Sequence, residues 1–286
     1  LAVLYGSAFV AAFNENIVNV ALVSIMGEFS IGAEMAQWLV TGYMIVTAIV
    51  VTATAFLSKR LRLRSLFFGA AGFLIVGSLA CMIAPVFPVL LVARLVQAIG
   101  TGIFIPAMMS TVLAVAPRKR LGTYLSIGSC MITFGPAFAP VVSGLMVTAF
   151  GWRSVFLPSA VIVVLLVVCG ALLIRNIAEP EQVKLDLMSV ALSALGLFAL
   201  VYGLSVVTTA LPVALIAMAL GLAGIAGFVF RQRRLTHPLL DLSPLRNPRF
   251  SLACILVVVA MMTTFSMSVL LPLYFEGSLG MTVFAS

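Results

Sequence analysis

Nine long, mostly apolar stretches follow one another along the chain, near 3–26, 37–57, 66–85, 88–116, 122–149, 154–174, 187–208, 211–230 and 250–275, and a tenth begins near Met281. A helix needs about 20 such residues to cross the hydrocarbon of a bilayer. Lipid offers a backbone N–H or C=O no partner, so these runs can only be helices. The chain therefore reads as an all-α integral membrane protein, with the bilayer as its first partner. Composition agrees: 63% of the 286 residues are hydrophobic and 8% are charged, against roughly 45–50% and 25% in soluble domains. Soluble, disordered and collagen-like folds are excluded.

The net charge is +8. In a soluble chain such an excess suggests nucleic acid. Here fourteen of the sixteen Lys and Arg fall in alternate loops: Lys59, Arg60, Arg62 and Arg64; Arg118, Lys119 and Arg120; Arg175 and Lys184; then Arg231, Arg233, Arg234, Arg246 and Arg249. The opposite loops hold only Arg153, and Arg94 lies inside an apolar run. The positive-inside rule places the basic loops and the start of the chain in the cytoplasm, and no nucleic-acid partner is expected. Cys81, Cys130, Cys169 and Cys254 all lie in apolar runs, and the single histidine, His237, lies in a polar loop. That pattern suggests neither a disulfide framework nor a metal site, and no cofactor is expected.

The longest loops, 175–186 and 231–249, divide the chain. The expected organisation is a six-helix bundle over 1–174, two linking helices over 175–231, a cytoplasmic loop over 232–249 and the incomplete start of a further bundle over 250–286. The chain opens on Leu1 and closes within an apolar run, which reads as truncation at both ends.

Ionisable groups at hydrocarbon depth cost about 2.5–3.5 kcal/mol each on insertion scales, so they mark function first. Glu15 sits near the middle of the first span, within Asn14-Glu15-Asn16-Ile17-Val18-Asn19. At about 100° per residue an unbroken helix puts Glu15, Asn16 and Asn19 on one face and Asn14 to the other side. The fourth span carries Arg94, Gln97 and Thr101 on one narrow stripe. A guanidinium there can bias a nearby carboxylate or polarise a proton path; an outward-snorkelling arginine is the plainer alternative. The fifth span carries Gly128, Gly135, Pro136, Pro140 and Gly144, a pattern for close helix packing and bending. No phosphate-binding Gly-x4-Gly-Lys-Ser/Thr loop, His-Glu-x-x-His or Gly-x-Ser-x-Gly occurs, so an enzyme is not expected.

Several of these segments together resemble the major facilitator superfamily, within it the 14-helix drug:proton antiporters. Asn14 to Leu22 (NENIVNVAL) resembles the first-span motif, usually Asp-x-Thr-Ile-Val-Asn-Val-Ala-Leu. Trp38 to Tyr43 (WLVTGY) resembles the second-span motif, and Arg94 to Gly100 with Pro106 the fourth-span motif. Gly135, Pro136, Pro140 and Gly144, followed by Gly151-Trp152-Arg153, resemble the antiporter motif. Asp186 and the stretch His237 to Asp241 fall where that group has similar residues. Four positions depart from the pattern: Asn14 stands for the usual Asp, Lys59 for the Asp and Arg62 for the second Gly of the cytoplasmic loop motif that also includes Arg60 and Arg64, and Glu276 for a Gln.

The resemblance implies a major-facilitator-type bundle, comprising an N-terminal six-helix half, two linker helices and the start of the C-terminal half. It also implies a monomer in a bacterial-type inner membrane. The expected activity is proton-coupled efflux of lipophilic or cationic small molecules by alternating access. Glu15 then binds a proton or substrate cation, with Asn14, Asn16, Asn19 and Tyr43 shaping the site. Arg94, Gln97 and Thr101 carry the proton path. Gly128, Gly135, Pro136, Pro140 and Gly144, with Lys59, Arg60 and Arg64, set the conformational motif. An uncoupled or symporting metabolite carrier, or a non-transporting scaffold or sensor, are the alternatives.

Overall fold

A computed structural model describes residues 1–174, 176, 186–207, 210–235 and 242–277. The described residues form α-helices α1 (Ala2–Asn16), α2 (Leu22–Phe29), α3 (Ala33–Arg60), α4 (Leu63–Met82), α5 (Phe87–Val115), α6 (Leu121–Phe150), α7 (Phe156–Leu173), α8 (Leu187–Ser205), α9 (Leu211–Gln232) and α10 (Pro248–Gly277). Among the described residues eight helical segments are long and apolar enough to cross a membrane. The tenth run expected near Met281, and the stretch His237 to Asp241, lie outside the described residues.

Local chemistry sets the ends. Proline stands in the first turn of α5 and α9, where its missing N–H costs nothing. Ser30 ends α2 in the left-handed region (φ 51°), and Gly151 ends α6 at φ 81°, a conformation that suits a residue without Cβ. Pro106 in α5, and Pro136 and Pro140 in α6, lie inside their helices without ending them.

The first span corrects the expectation of one unbroken helix over 3–26. It breaks after Asn16, turns at Ile17 and Val18, makes one 3-10 turn over Asn19–Ala21 and resumes as α2. A side-chain bond accompanies the end of α1. The Asn16 side-chain amide donates to the Ala12 carbonyl at 3.0 Å, the acceptor that its own backbone N–H would use.

The chain divides into two units, Leu1–Leu239 and Leu240–Ser286. In the first, α1 packs on α5, α6 and α7; α4 packs on α5 and α7; α3 packs on α5; and α8 pairs with α9 and leans on α3. Two apolar clusters form its core. One gathers Leu4, Tyr5, Phe67, Leu74, Phe104 and Met108; the other gathers Phe13, Ile25, Leu39, Leu90, Trp152 and Phe156. Between them, in chain order on α4 and α5, fall Ser78 and then Arg94, Gln97 and Thr101, all fully buried. Buried polar groups must bond one another there, so this layer is where specific chemistry sits. In the second unit, the Arg249 N–H donates to Asn247 Oδ1 at 3.0 Å and the Ser251 hydroxyl to the Leu245 carbonyl at 2.6 Å, fixing the start of α10.

Candidate functional site

The break in the first span creates an acceptor. Among the described residues no backbone amide answers the Asn14 carbonyl beyond the end of α1. The Arg94 Nη1 donates to it at 3.1 Å. A cation at the C-terminal end of a helix also meets the negative end of its dipole. The same Nη1 donates to Gln97 Oε1 at 2.8 Å, and the guanidinium lies over the Tyr43 ring, 4.1 Å from its centre. Gln97 Nε2 in turn donates to the Ser78 hydroxyl on α4 at 2.7 Å. On the other side, Asn14 Nδ2 donates to the Tyr43 hydroxyl at 3.1 Å, and Tyr43 shares a short hydrogen bond with Thr101. Five of the expected site residues (Asn14, Tyr43, Arg94, Gln97 and Thr101) thus form one connected network from three helices, and Ser78 joins it to a fourth.

The network is buried but incomplete. Arg94 has no solvent exposure, which excludes the snorkelling alternative. Its Nε and Nη2, and the Oδ1 of Asn14, have no hydrogen-bond partner among the described residues. A buried guanidinium with free N–H groups costs several kcal/mol unless an anion or a ligand answers it. Glu15 is half-buried, feels the charge of Arg94, and has no hydrogen bond of its own among the described residues.

The shared face expected for Glu15, Asn16 and Asn19 is corrected. Asn16 is half-buried and spends its amide on Ala12, while Asn19 is exposed. Asn14, placed by the helical wheel on the far side, is the fully buried member. The wheel assumes 100° per residue, and the break after Asn16 removes that rule for Asn19.

Along α6, Gly135 fits against α1: a Cβ there would stand 2.6 Å from the Phe13 nitrogen. Gly128 meets the Met108 side chain at 3.0 Å, whereas Gly144 has nothing within 4 Å. At the other end of α3, Arg60 is exposed and the Lys59 side chain lies outside the described residues, as does that of Glu276. Arg64 donates to the Ala171 carbonyl at 3.1 Å, and its backbone N–H to Asn176 Oδ1 at 3.3 Å.

Three contributors escape sequence reasoning. Ser78 has no signal beyond being a hydroxyl in an apolar run. Gly77 admits α5: a Cβ there would stand 2.5 Å from Gln97 Cγ. Glu28 accepts from Trp152 Nε1 at 2.5 Å and pairs with Arg153, whose Nη2 also reaches the Ala84 carbonyl at 3.0 Å. A carboxylate at the end of an apolar run facing Gly151-Trp152-Arg153 is the only hint that Glu28 carries.

Comparison with known proteins follows this geometry. The Major Facilitator Superfamily profile matches residues 4–286. The lincomycin resistance protein LmrB of Bacillus subtilis is 34% identical over 285 residues, covering 98% of this chain and 60% of its own length. The uncharacterized MFS-type transporter YhcA of the same organism is 33% identical over 289 residues, covering 100% of this chain and 54% of its own length. The chain thus spans a little over half the length of these relatives. Among solved structures, a POT family transporter crystallised with 5-aminolevulinic acid superposes with a TM-score of 0.57 at 15% identity, over 73% of this chain and 53% of that one, which speaks to the fold alone.

Proposed function

Because this chain belongs to the major facilitator superfamily, we propose that the whole protein exports lipophilic or cationic small molecules against proton entry, by alternating access. The observation that carries the reading is a fully buried Arg94 with unanswered N–H groups, set beside a half-buried Glu15 at the point where the first span breaks. One carboxylate that a proton and an organic cation compete for is the simplest exchanger. Protonation removes the anion and releases the cation; deprotonation on the other side restores the site. Relatives named for antibiotic resistance support the export direction.

Arg94, steadied by Gln97, holds the freed carbonyl of α1, so a change of charge on Glu15 acts where the helix has already given up a hydrogen bond. Asn14, Tyr43 and Thr101 fix the guanidinium plane; Asn16 sits at the break, and Asn19 lies on its exposed side. Gly128 and Gly135 let α6 slide against its neighbours, with Pro136, Pro140 and Gly144 setting its shape. Lys59, Arg60 and Arg64 belong by sequence to the conformational motif around the loop after α3. The distribution of basic residues supports an inner-membrane protein with the start of this chain in the cytoplasm.

Everted vesicles containing the full-length protein test the reading. Uptake of ethidium should stop when the pH gradient is collapsed, and Glu15→Gln should remove the dependence on the gradient. Uptake that persists after collapse, or a Glu15→Gln variant that behaves like the parent, overturns it.

A further inference from the structure

The seam between α3 and α8 carries a group of side chains that the buried network does not use. Glu34, Trp38 and Thr41 follow i, i+4, i+7 spacing on α3, and Phe198, Tyr202 and Ser205 repeat it on α8. Each set forms a stripe about 60° wide. The two stripes meet at the end of the bundle away from the basic loop after α3. There they open a cleft of about 350 Å³ lined by Glu34, Gln37, Trp38, Thr41, Tyr202 and Ser205. The rings pack across the seam: Trp38 lies 6.1 Å from Phe198 and 6.3 Å from Tyr202, and Phe198 and Tyr202 stack at 6.1 Å with 7° between planes. Tyr43 is nine residues beyond Glu34, which is about 180° round α3, so the cleft and the Arg94 network lie on opposite faces.

We propose that this cleft is a second binding site, for a substituted ammonium group. Aromatic faces attract a cation through their quadrupole and favour alkylated ammonium, which sheds water readily. The Glu34 carboxylate on the rim has no ion-pair partner among the described residues. A neutral occupant would desolvate that carboxylate without compensation, and an anion would be repelled by it. The volume falls in the range of small-ligand sites, about 300–1,000 Å³. A membrane presents such a group in two forms, as an amphiphilic solute or as the headgroup of an aminophospholipid. The site does not depend on the transport reading, and its test needs no transport.

The test uses full-length protein in phosphatidylglycerol nanodiscs, with the fluorescence of Trp38 as reporter, taken as the component absent from Trp38→Phe. Benzyltrimethylammonium should change that signal saturably. Glu34→Gln should weaken binding about tenfold or more, Glu34→Asp should retain most of it, and Tyr202→Leu should weaken it from the other helix. Neopentylbenzene, the same shape without charge, should not compete. Competition by added phosphatidylethanolamine assigns the site to lipid; its absence assigns the site to soluble cations. No saturable change in the parent protein, equal binding by Glu34→Gln, or equal competition by neopentylbenzene overturns the proposal.

Discussion

Arg94 donates a hydrogen bond to the backbone carbonyl of Asn14, 80 residues earlier, where α1 stops accepting bonds from its own amides. The contact joins a buried charge to a broken helix, so each accounts for the other. The carbonyl freed by the break gives the guanidinium a partner, and the guanidinium lets the break persist at hydrocarbon depth, where lipid gives a free carbonyl none.

Arg94→Lys follows from that geometry. A lysine keeps the charge but loses the planar fork that reaches Asn14 and Gln97 while stacking on Tyr43. Ethidium uptake in vesicles should fall about tenfold or more, with a stability change of about 1–2 kcal/mol by thermal melting in detergent.

Two glycines separate packing from mere presence. Gly77→Ala drives a Cβ to within 2.5 Å of Gln97 Cγ and 2.9 Å of the Ala93 carbonyl. Thermal unfolding should show a loss of about 1–3 kcal/mol and weaker transport. Gly144→Ala meets nothing within 4 Å and should stay within about 0.5 kcal/mol of the parent.

The α8–α9 pair carries its own pH dependence. Asp186 accepts from Arg231 Nε at 2.7 Å and Nη2 at 2.9 Å, and from the Ser189 hydroxyl at 2.6 Å. The Arg231 bonds, foremost, hold its carboxyl at about 2, below the ordinary 3.8. A depressed carboxylate contributes stability above its unfolded pKa and loses it as pH falls through the folded one. Melting should therefore be insensitive to this group from neutral pH down to about 4, and the contribution should fade between about 4 and 2. Arg231 is 41% exposed, so solvent screening limits the contribution to about 1 kcal/mol. Asp186→Asn should remove that amount at neutral pH, together with this group's share of the acid dependence.

Glu28 ties the end of α2 to the turn after α6. Its pair with Arg153 is about 40% exposed on both sides. A double-mutant cycle of Glu28→Gln with Arg153→Gln should give a coupling of about 0.2–1 kcal/mol that shrinks in high salt. Each single change should also lose something outside the pair, the charge that Trp152 bonds in Glu28→Gln and the bond to the Ala84 carbonyl in Arg153→Gln, and the cycle removes both from the coupling.

Much of the site was legible as residue type. A carboxylate, an arginine and their amide neighbours inside apolar runs are costly enough to be noticed at once, and the i, i+3, i+7 spacing of Arg94, Gln97 and Thr101 places them on one stripe of an unbroken helix. Asn14 was misread for a different reason: a wheel gives angles along α1 but not which side is sheltered, and only the approach of Tyr43 from α3 and Arg94 from α5 makes the Asn14 side the buried one. Ser78, Gly77 and Glu28 were invisible because each matters only through a partner from another helix.

The sequence by itself determined that the chain spans a membrane as helices, since long apolar runs leave the backbone no other way to satisfy its hydrogen bonds in lipid. It also determined which few side chains must be sheltered there. Only the tertiary structure decided which of them meet. Burial alone says that a polar group needs a partner; the choice among Asn14, Gln97, Tyr43 and Glu15 as neighbours of Arg94 rests on how closely helices far apart in sequence can approach, and on where one of them breaks.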